Sequence, residues 1–274
     1  MRIRQVVLPL VAAVALVGSL TACSGSSGSP PAASSPAASS ASPAPSVQAV
    51  DLVGTRWTVE GRKGTTVRFD GIAVTVAVGD LSSSFSWSAQ GDQVLIGART
   101  SGLSGPVDAS WLTSTASVRR DGSGLLLVDA NGSTTARLAP DGTADGTTPT
   151  SLLTAATVGK GVVDAPPSAI EGRWTVAGDV RTAITFTGGT WSATTSCTTG
   201  AVGGRGAYRV LPGGRLLVVR TMTPIRGCPI VDGPVVGHAS AITSIARAAS
   251  FRVSGDTLTL FDRDGTGLGS LVRG

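Results

Sequence analysis

The sequence predicts a mainly β (α+β) chain built from two tandem domains, each a curved antiparallel sheet closed by one short helix. Three observations carry that prediction. After the first fifty residues, Thr, Val and Leu alternate with polar residues, and Gly and Asp interrupt the runs at short intervals; this is the period-2 pattern of half-buried strands. An ordered set of residue groups then occurs twice, in the same order, as an internal repeat does. Helical spacing is confined to one apolar stripe, Val235, Ala239, Ile242 and Ala246, with a shorter counterpart at Ala109 to Ala116.

In chain order, residues 1–22 read as an export signal. Arg2 and Arg4 form a positive start, and Val6 to Leu20 is a nearly unbroken apolar run. The run is too short and too close to the start to be a permanent membrane span. It ends in Leu20-Thr21-Ala22-Cys23, which resembles a lipobox. The peptidase that cuts before such a cysteine needs small residues ahead of it and a thiol carrying diacylglycerol. An ordinary secretory signal with an incidental cysteine is the alternative, but Ser24 and Gly25 follow at once, as they do after lipoprotein cleavage. Cys23 is therefore expected to be the lipidated first residue of the mature chain. Two or three acyl chains, palmitate among them, make a stable anchor where one does not. The body is then expected on the extracytoplasmic face of the cell membrane.

Residues 23–50 are almost entirely Ser, Pro, Ala and Gly. They cannot bury enough apolar surface to offset their ordering entropy. As a flexible coil they would span roughly 30 Å, a tether between anchor and body.

The repeat places a first domain at 51–140, a connector at 141–168 and a second domain at 169–274. Leu52-Val53-Gly54-Thr55-Arg56-Trp57-Thr58-Val59 matches Ile170-Glu171-Gly172-Arg173-Trp174-Thr175-Val176 with one residue fewer. Trp57 stands as far from Phe69 as Trp174 does from Phe186. Strand-like pairs follow, Phe85-Ser86-Trp87 with Val94-Leu95-Ile96 and Tyr208-Arg209-Val210 with Leu216 to Val219. Gly213-Gly214 would turn the second of these hairpins. Each half closes with a Leu-rich strand and a turn, at Asn131-Gly132 and Asp264-Gly265, whose glycines suit a tight hairpin.

The second half resembles the META/HslJ-like domain family. The matching features are Trp174, the strand ending in Phe186, Trp191 leading to Cys197, Gly206-Ala207-Tyr208, the later Cys228, and the closing Gly255-Asp256-Thr257-Leu258-Thr259-Leu260 with Asp264-Gly265. The resemblance covers about a hundred residues and extends more faintly to the first half. The family pattern has Gly-Cys-Asn at the first cysteine, where this chain has Ser196-Cys197-Thr198. The first half lacks both cysteines, with Asp80 and Val107 near their places. The resemblance implies a small bacterial envelope protein or lipoprotein, some of whose relatives are linked to heat stress or antibiotic tolerance. The Arg-rich, Lys-poor composition adds a GC-rich, actinobacterial source. It implies no catalytic residues.

The chain's net charge is +5, and loss of Arg2 and Arg4 leaves +3; this is too little and too evenly spread for nucleic acid. With Cys23 lipidated, Cys197 and Cys228 remain, and outside the cytoplasm a disulfide between them is expected. By chain entropy it would stabilise the fold by roughly 3–4 kcal/mol. A redox or metal-binding pair is disfavoured, because the spacing is far from Cys-x-x-Cys and no histidine cluster accompanies it. His238 is the sole histidine, with no nucleophile elbow near it. Glu60 and Glu171 are the only glutamates. Asp262 and Asp264 open like a calcium loop, but Thr266-Gly267-Leu268 follow in place of further ligands; a hairpin turn is expected. Of Trp57, Trp87, Trp111, Trp174 and Trp191, the repeat-matched Trp57 and Trp174 are expected in the cores.

The expectation is thus a non-catalytic, membrane-anchored envelope lipoprotein without cofactor or metal, acting in envelope maintenance, stress tolerance or binding to an envelope or cell-wall partner. One alternative is a ligand-binding module for a glycan, lipid or small molecule, using the inter-domain cleft. Another is a hydrolase that would have to use His238.

Overall fold

The computed structural model describes residues 52–71, 73–103, 107–143, 155–177, 179–197, 200–221 and 244–274. The signal segment, Cys23, the tether, Cys228, His238 and three of the four stripe residues lie outside these. The first sheet runs β1 (Thr55–Val59), β2 (Thr65–Phe69), β3 (Ala73–Val78), β4 (Leu81–Gln90), β5 (Gln93–Leu103), β6 (Thr115–Asp121), β7 (Gly124–Asp129) and β8 (Thr134–Thr143). The second runs β9 (Gly172–Val176), β10 (Asp179–Thr187), β11 (Thr190–Cys197), β12 (Gly200–Leu211), β13 (Arg215–Thr221), β14 (Ser250–Ser254), β15 (Thr257–Phe261) and β16 (Gly267–Arg273). Each is an antiparallel meander closed into a barrel, and each barrel has its own core.

Alternation builds the strands. In β2, Val67 and Phe69 are buried while Thr66 and Arg68 are not, and β15 repeats the pattern with Leu258 and Leu260 inside. The mainly β expectation holds, but the α+β description with a helix closing each sheet needs correction. Closure is made by strands: β1 pairs with β8 through Thr58↔Ala139 and Val59↔Leu138, and β9 with β16 through Thr175↔Val272. Once the two ends of a sheet pair with each other, no edge is left for a helix to cover.

Among the described residues, one 3-10 turn, Pro167–Ala169, precedes the second sheet, and α-helix is limited to a single turn in each barrel. The first, α1 (Ser110–Thr113), buries Trp111 and Leu112, and residues 244–247 bury Ile245 in the same way. Each turn adjoins a thin seam. Strands β5 and β6 share one paired position, Gln93↔Ser117, and β13 and β14 share one, Arg215↔Ser250.

The two barrels match in details as well as in strand order. Trp57 and Trp174 are both buried. Phe69 meets Trp87 edge-on at 5.1 Å, and Phe186 meets Tyr208 edge-on at 5.2 Å. The structure therefore sets Trp87 against Tyr208, two residues from the alignment read in the sequence. At the closing hairpins, Asp129 Oδ1 accepts the N–H groups of Asn131 and Ser133, and Asp262 Oδ1 accepts those of Asp264 and Thr266. Gly132 and Gly265 follow in the left-handed region, at φ +85° and +79°.

Both barrels belong to one compact unit, joined by equivalent hairpins: β4–β5 of the first packs on β12–β13 of the second. Gly97 and Val219 hold matching positions on β5 and β13, and they face each other across the interface. A methyl group on Gly97 would lie 2.9 Å from Val219 Cγ2 and 2.3 Å from Ser86 Oγ. Glycine at one of these matching positions makes room for valine at the other.

Polar side chains cross this interface reciprocally. Gln90 Nε2 donates to the carbonyls of Leu216 and Ala249, both 2.8 Å away, at the seam of the second barrel. Arg209 donates to the carbonyls of Val94 and Ala116, which are the matching pair at the seam of the first barrel. Each barrel thus supplies a donor to carbonyls that the other's seam presents. Buried carbonyls left without donors are destabilising, so the seams and the interface support each other.

Candidate ligand cleft between the barrels

Two clefts are lined by residues of both barrels. The wider holds about 650 Å³ and the narrower about 360 Å³. The wider falls within the usual range for small-molecule sites.

Strand β4 contributes Trp87 and Gln90 to the wider cleft, β13 contributes Leu216, Val219 and Arg220, and the helical turn at 244–247 contributes Arg247. The β15–β16 turn adds Asp262, Arg263 and Asp264. Trp87 and Val219 are each under a tenth exposed and make part of an apolar floor.

The rim is ionic. Arg247 pairs with Asp262 at 3.4 Å, while the other oxygen of Asp262 holds its own turn together. Arg263 Nη1 donates to Ala89 O at 2.9 Å, crossing to the first barrel. Burial makes the Arg263 guanidinium easier to deprotonate than a free one, and Asp264 opposes that. Arg209, deeper in the interface, is shifted the same way by burial alone. Both remain cations at any physiological pH. Arg220 has no hydrogen bond or ion pair among the described residues, and its Nε is enclosed without a partner.

The three arginines of the wider cleft are peculiar to the second barrel. Counting from the paired seams, Arg220 matches Ala98 of the first barrel and Arg247 matches Ser114. Arg263 matches Ala130 through the equivalent Asp-capped turns. The barrel fold therefore forms with Ala, Ser and Ala at the three positions. The narrower cleft, where Ala98 stands in Arg220's place, is lined by Thr185, Thr190, Trp191, Arg205 and Thr221.

The residues singled out in the sequence fall in several places. All five tryptophans are buried, and every indole N–H is committed: Trp57 to Thr55 Oγ1, Trp87 to Asp70 O, Trp111 to Asp108 O, Trp174 to Ile170 O and Trp191 to Val219 O. Their use is core packing, with Trp87 and Trp191 also backing the two clefts. Asp262 and Asp264 form a hairpin turn, as expected. Cys197 ends β11 with its backbone opposite Gly200. Among the described residues no group of three or more His, Cys, Asp or Glu is placed to hold a metal ion. No helix among them is long and apolar enough to cross a membrane.

Sequence reading did not find Gln90, Arg209 or the three cleft arginines. Arg220, Arg247 and Arg263 form no motif, being far apart along the chain. The available signal was their mismatch with Ala98, Ser114 and Ala130 between the two halves. Compared with known proteins, the chain matches no family model, no curated protein and no solved structure.

Proposed function

We propose that the protein is a non-catalytic envelope lipoprotein, held at the extracytoplasmic face of the cell membrane by acyl chains on Cys23, whose tandem barrels bind a partner or ligand. The observation that carries its placement is Leu20-Thr21-Ala22-Cys23 after a basic start and an apolar run, followed by a Ser/Pro/Ala-rich tether. Its non-catalytic character is supported by how interface side chains are used. Gln90, Arg209 and Arg263 donate to backbone carbonyls of the opposite barrel, which is a structural duty. The META/HslJ-like assignment belongs to the same proposal. It rests on the ordered residues from Trp174 to Gly265. A Cys197–Cys228 disulfide completes it.

Metabolic labelling with an alkyne palmitate, followed by membrane fractionation, tests the anchor. Label on the chain, lost in Cys23→Ala along with membrane retention, is the expected result; an unlabelled chain in the cytosol overturns the placement. Mass analysis without reductant should find the exported chain two hydrogens lighter than its dithiol form, and two free thiols would remove the disulfide.

A second reading, that the protein captures a small ligand between its barrels, is favoured by the wider cleft. Native mass spectrometry of protein isolated from its own envelope tests it, with a bound small molecule expected and an empty protein contradicting it.

A further inference from the structure

We propose that the wider cleft is a binding site for an amphiphilic organic anion, a carboxylate or phosphate monoester carrying an apolar chain, with Arg220 as the residue that recognises its charge. This rests on the ligand-capture reading above and names the class of ligand.

Four observations converge on it. The first is the asymmetry between the clefts. Each is lined by residues of both barrels, yet Arg220, Arg247 and Arg263 of the wider one stand where the first barrel has Ala98, Ser114 and Ala130, and of these only Ala98 lines the narrower cleft. A fold that closes with small residues there does not itself require the cations.

The second is their balance. Arg247 is paired with Asp262, and Arg263 donates to Ala89 O beside Asp264. Arg220 is the cation of the cleft without such a partner among the described residues. A half-buried guanidinium with no counter-charge is unfavourable, and its planar fork suits a carboxylate or phosphate held by two parallel hydrogen bonds.

The third is the floor. Trp87, Leu216, Val219 and Ala249 give the cleft an apolar base, which a wholly polar anion would not use. The fourth is length. From Leu216 to Arg220 is four residues of strand, about 13 Å, so an apolar chain can lie along β13 while its head group reaches Arg220.

Calorimetric titration of the protein with decanoate, decyl phosphate, decanol and inorganic phosphate, the amphiphiles kept below their micelle concentrations, tests the proposal. Decanoate or decyl phosphate should bind, and the tighter of the two identifies the head group. Decanol and inorganic phosphate should each bind at least tenfold more weakly. Arg220→Ala should weaken the anion at least tenfold, Arg220→Lys should recover part of the loss, and Arg205→Ala in the narrower cleft should change nothing. If Arg220→Ala does not fold, Arg220→Gln removes the charge at nearly the same size. Decanol binding as tightly as decanoate, with no effect of Arg220, would overturn the anion assignment while leaving capture of a neutral ligand standing. Heat from none of the four probes would also overturn it, and the native mass spectrum then decides the broader reading on its own.

Discussion

The two barrels follow one path with different fillings. At matching positions of the third and fourth strands, the first barrel pairs Val74 with Phe85, and the second pairs Trp191 with Gly206. The bulk has moved from one strand to its neighbour while the sum fills a similar space. Near Phe85 the first barrel accommodates the ring with register shifts in β4–β5, whereas in the second a glycine lets the indole reach Val219 O at 3.0 Å. Cores tolerate such exchanges when volume and pattern are kept. The differences that volume does not explain are on the outside, where three arginines gather in one cleft at positions that hold Ala98, Ser114 and Ala130 in the first barrel.

The most damaging test exchanges one member of the swapped pair. A methyl group on Gly206 would lie 1.8 Å from Val219 O and 2.7 Å from Trp191 Nε1. Gly206→Ala should therefore destabilise the second barrel by about 3 kcal/mol or more, the upper range for overpacking, read from the denaturant midpoint. Trp191→Val combined with Gly206→Phe should be more stable than Gly206→Phe alone, because it removes the indole from the space the new ring needs. A double variant showing the sum of both losses would contradict the exchange.

Next in size is the contact between Gly97 and Val219. Gly97→Val should cost about 1–3 kcal/mol by overpacking, with part of it restored by Val219→Gly. No restoration would mean that the two positions do not meet.

The reciprocal donors follow. Arg209→Met removes a charged donor from two carbonyls and should cost about 1.5–3 kcal/mol, and Gln90→Leu about 1 kcal/mol. Hydrogen exchange should rise most at the partner's seam, at Val118 for Arg209 and at Phe251 for Gln90. Exchange that rises only on the substituted strand would break the reciprocity.

The smallest effect separates the two aromatic pairs. Burial, and then the nearby Glu171 carboxylate, push the Tyr208 phenol above its ordinary range, while Trp87 in its place in the first barrel cannot titrate. A raised folded pKa means that the native chain keeps a proton the unfolded chain has lost. Its contribution is whole below about pH 10 and is lost as pH rises through the folded value. Tyr208→Phe should make unfolding midpoints less sensitive to pH above 10, and an unchanged slope would contradict this.

What was legible in the sequence was local. The equal spacing from Trp57 to Phe69 and from Trp174 to Phe186, and the turns at Asn131-Gly132 and Asp264-Gly265, are set by neighbours along the chain. Barrel closure was not, because pairing β1 with β8 joins residues about eighty positions apart, and an amphipathic strand reads the same at an edge or inside a ring. Gln90 and Arg209 belong to no motif, and a polar residue of an amphipathic strand reads the same whether its face meets water or another barrel. Only the docking of the hairpins turns their outward face into an interior. The cleft arginines were hidden for the same reason, although Arg263 opposite Ala130 stood in plain view within the repeat.

The central claim is that two copies of one barrel are locked into a single body by donors exchanged between their seams. Calorimetric melting of the chain tests it most directly. One cooperative transition is predicted, splitting into two in the Gln90→Leu, Arg209→Met double variant. Two independent transitions in the unaltered protein would contradict it.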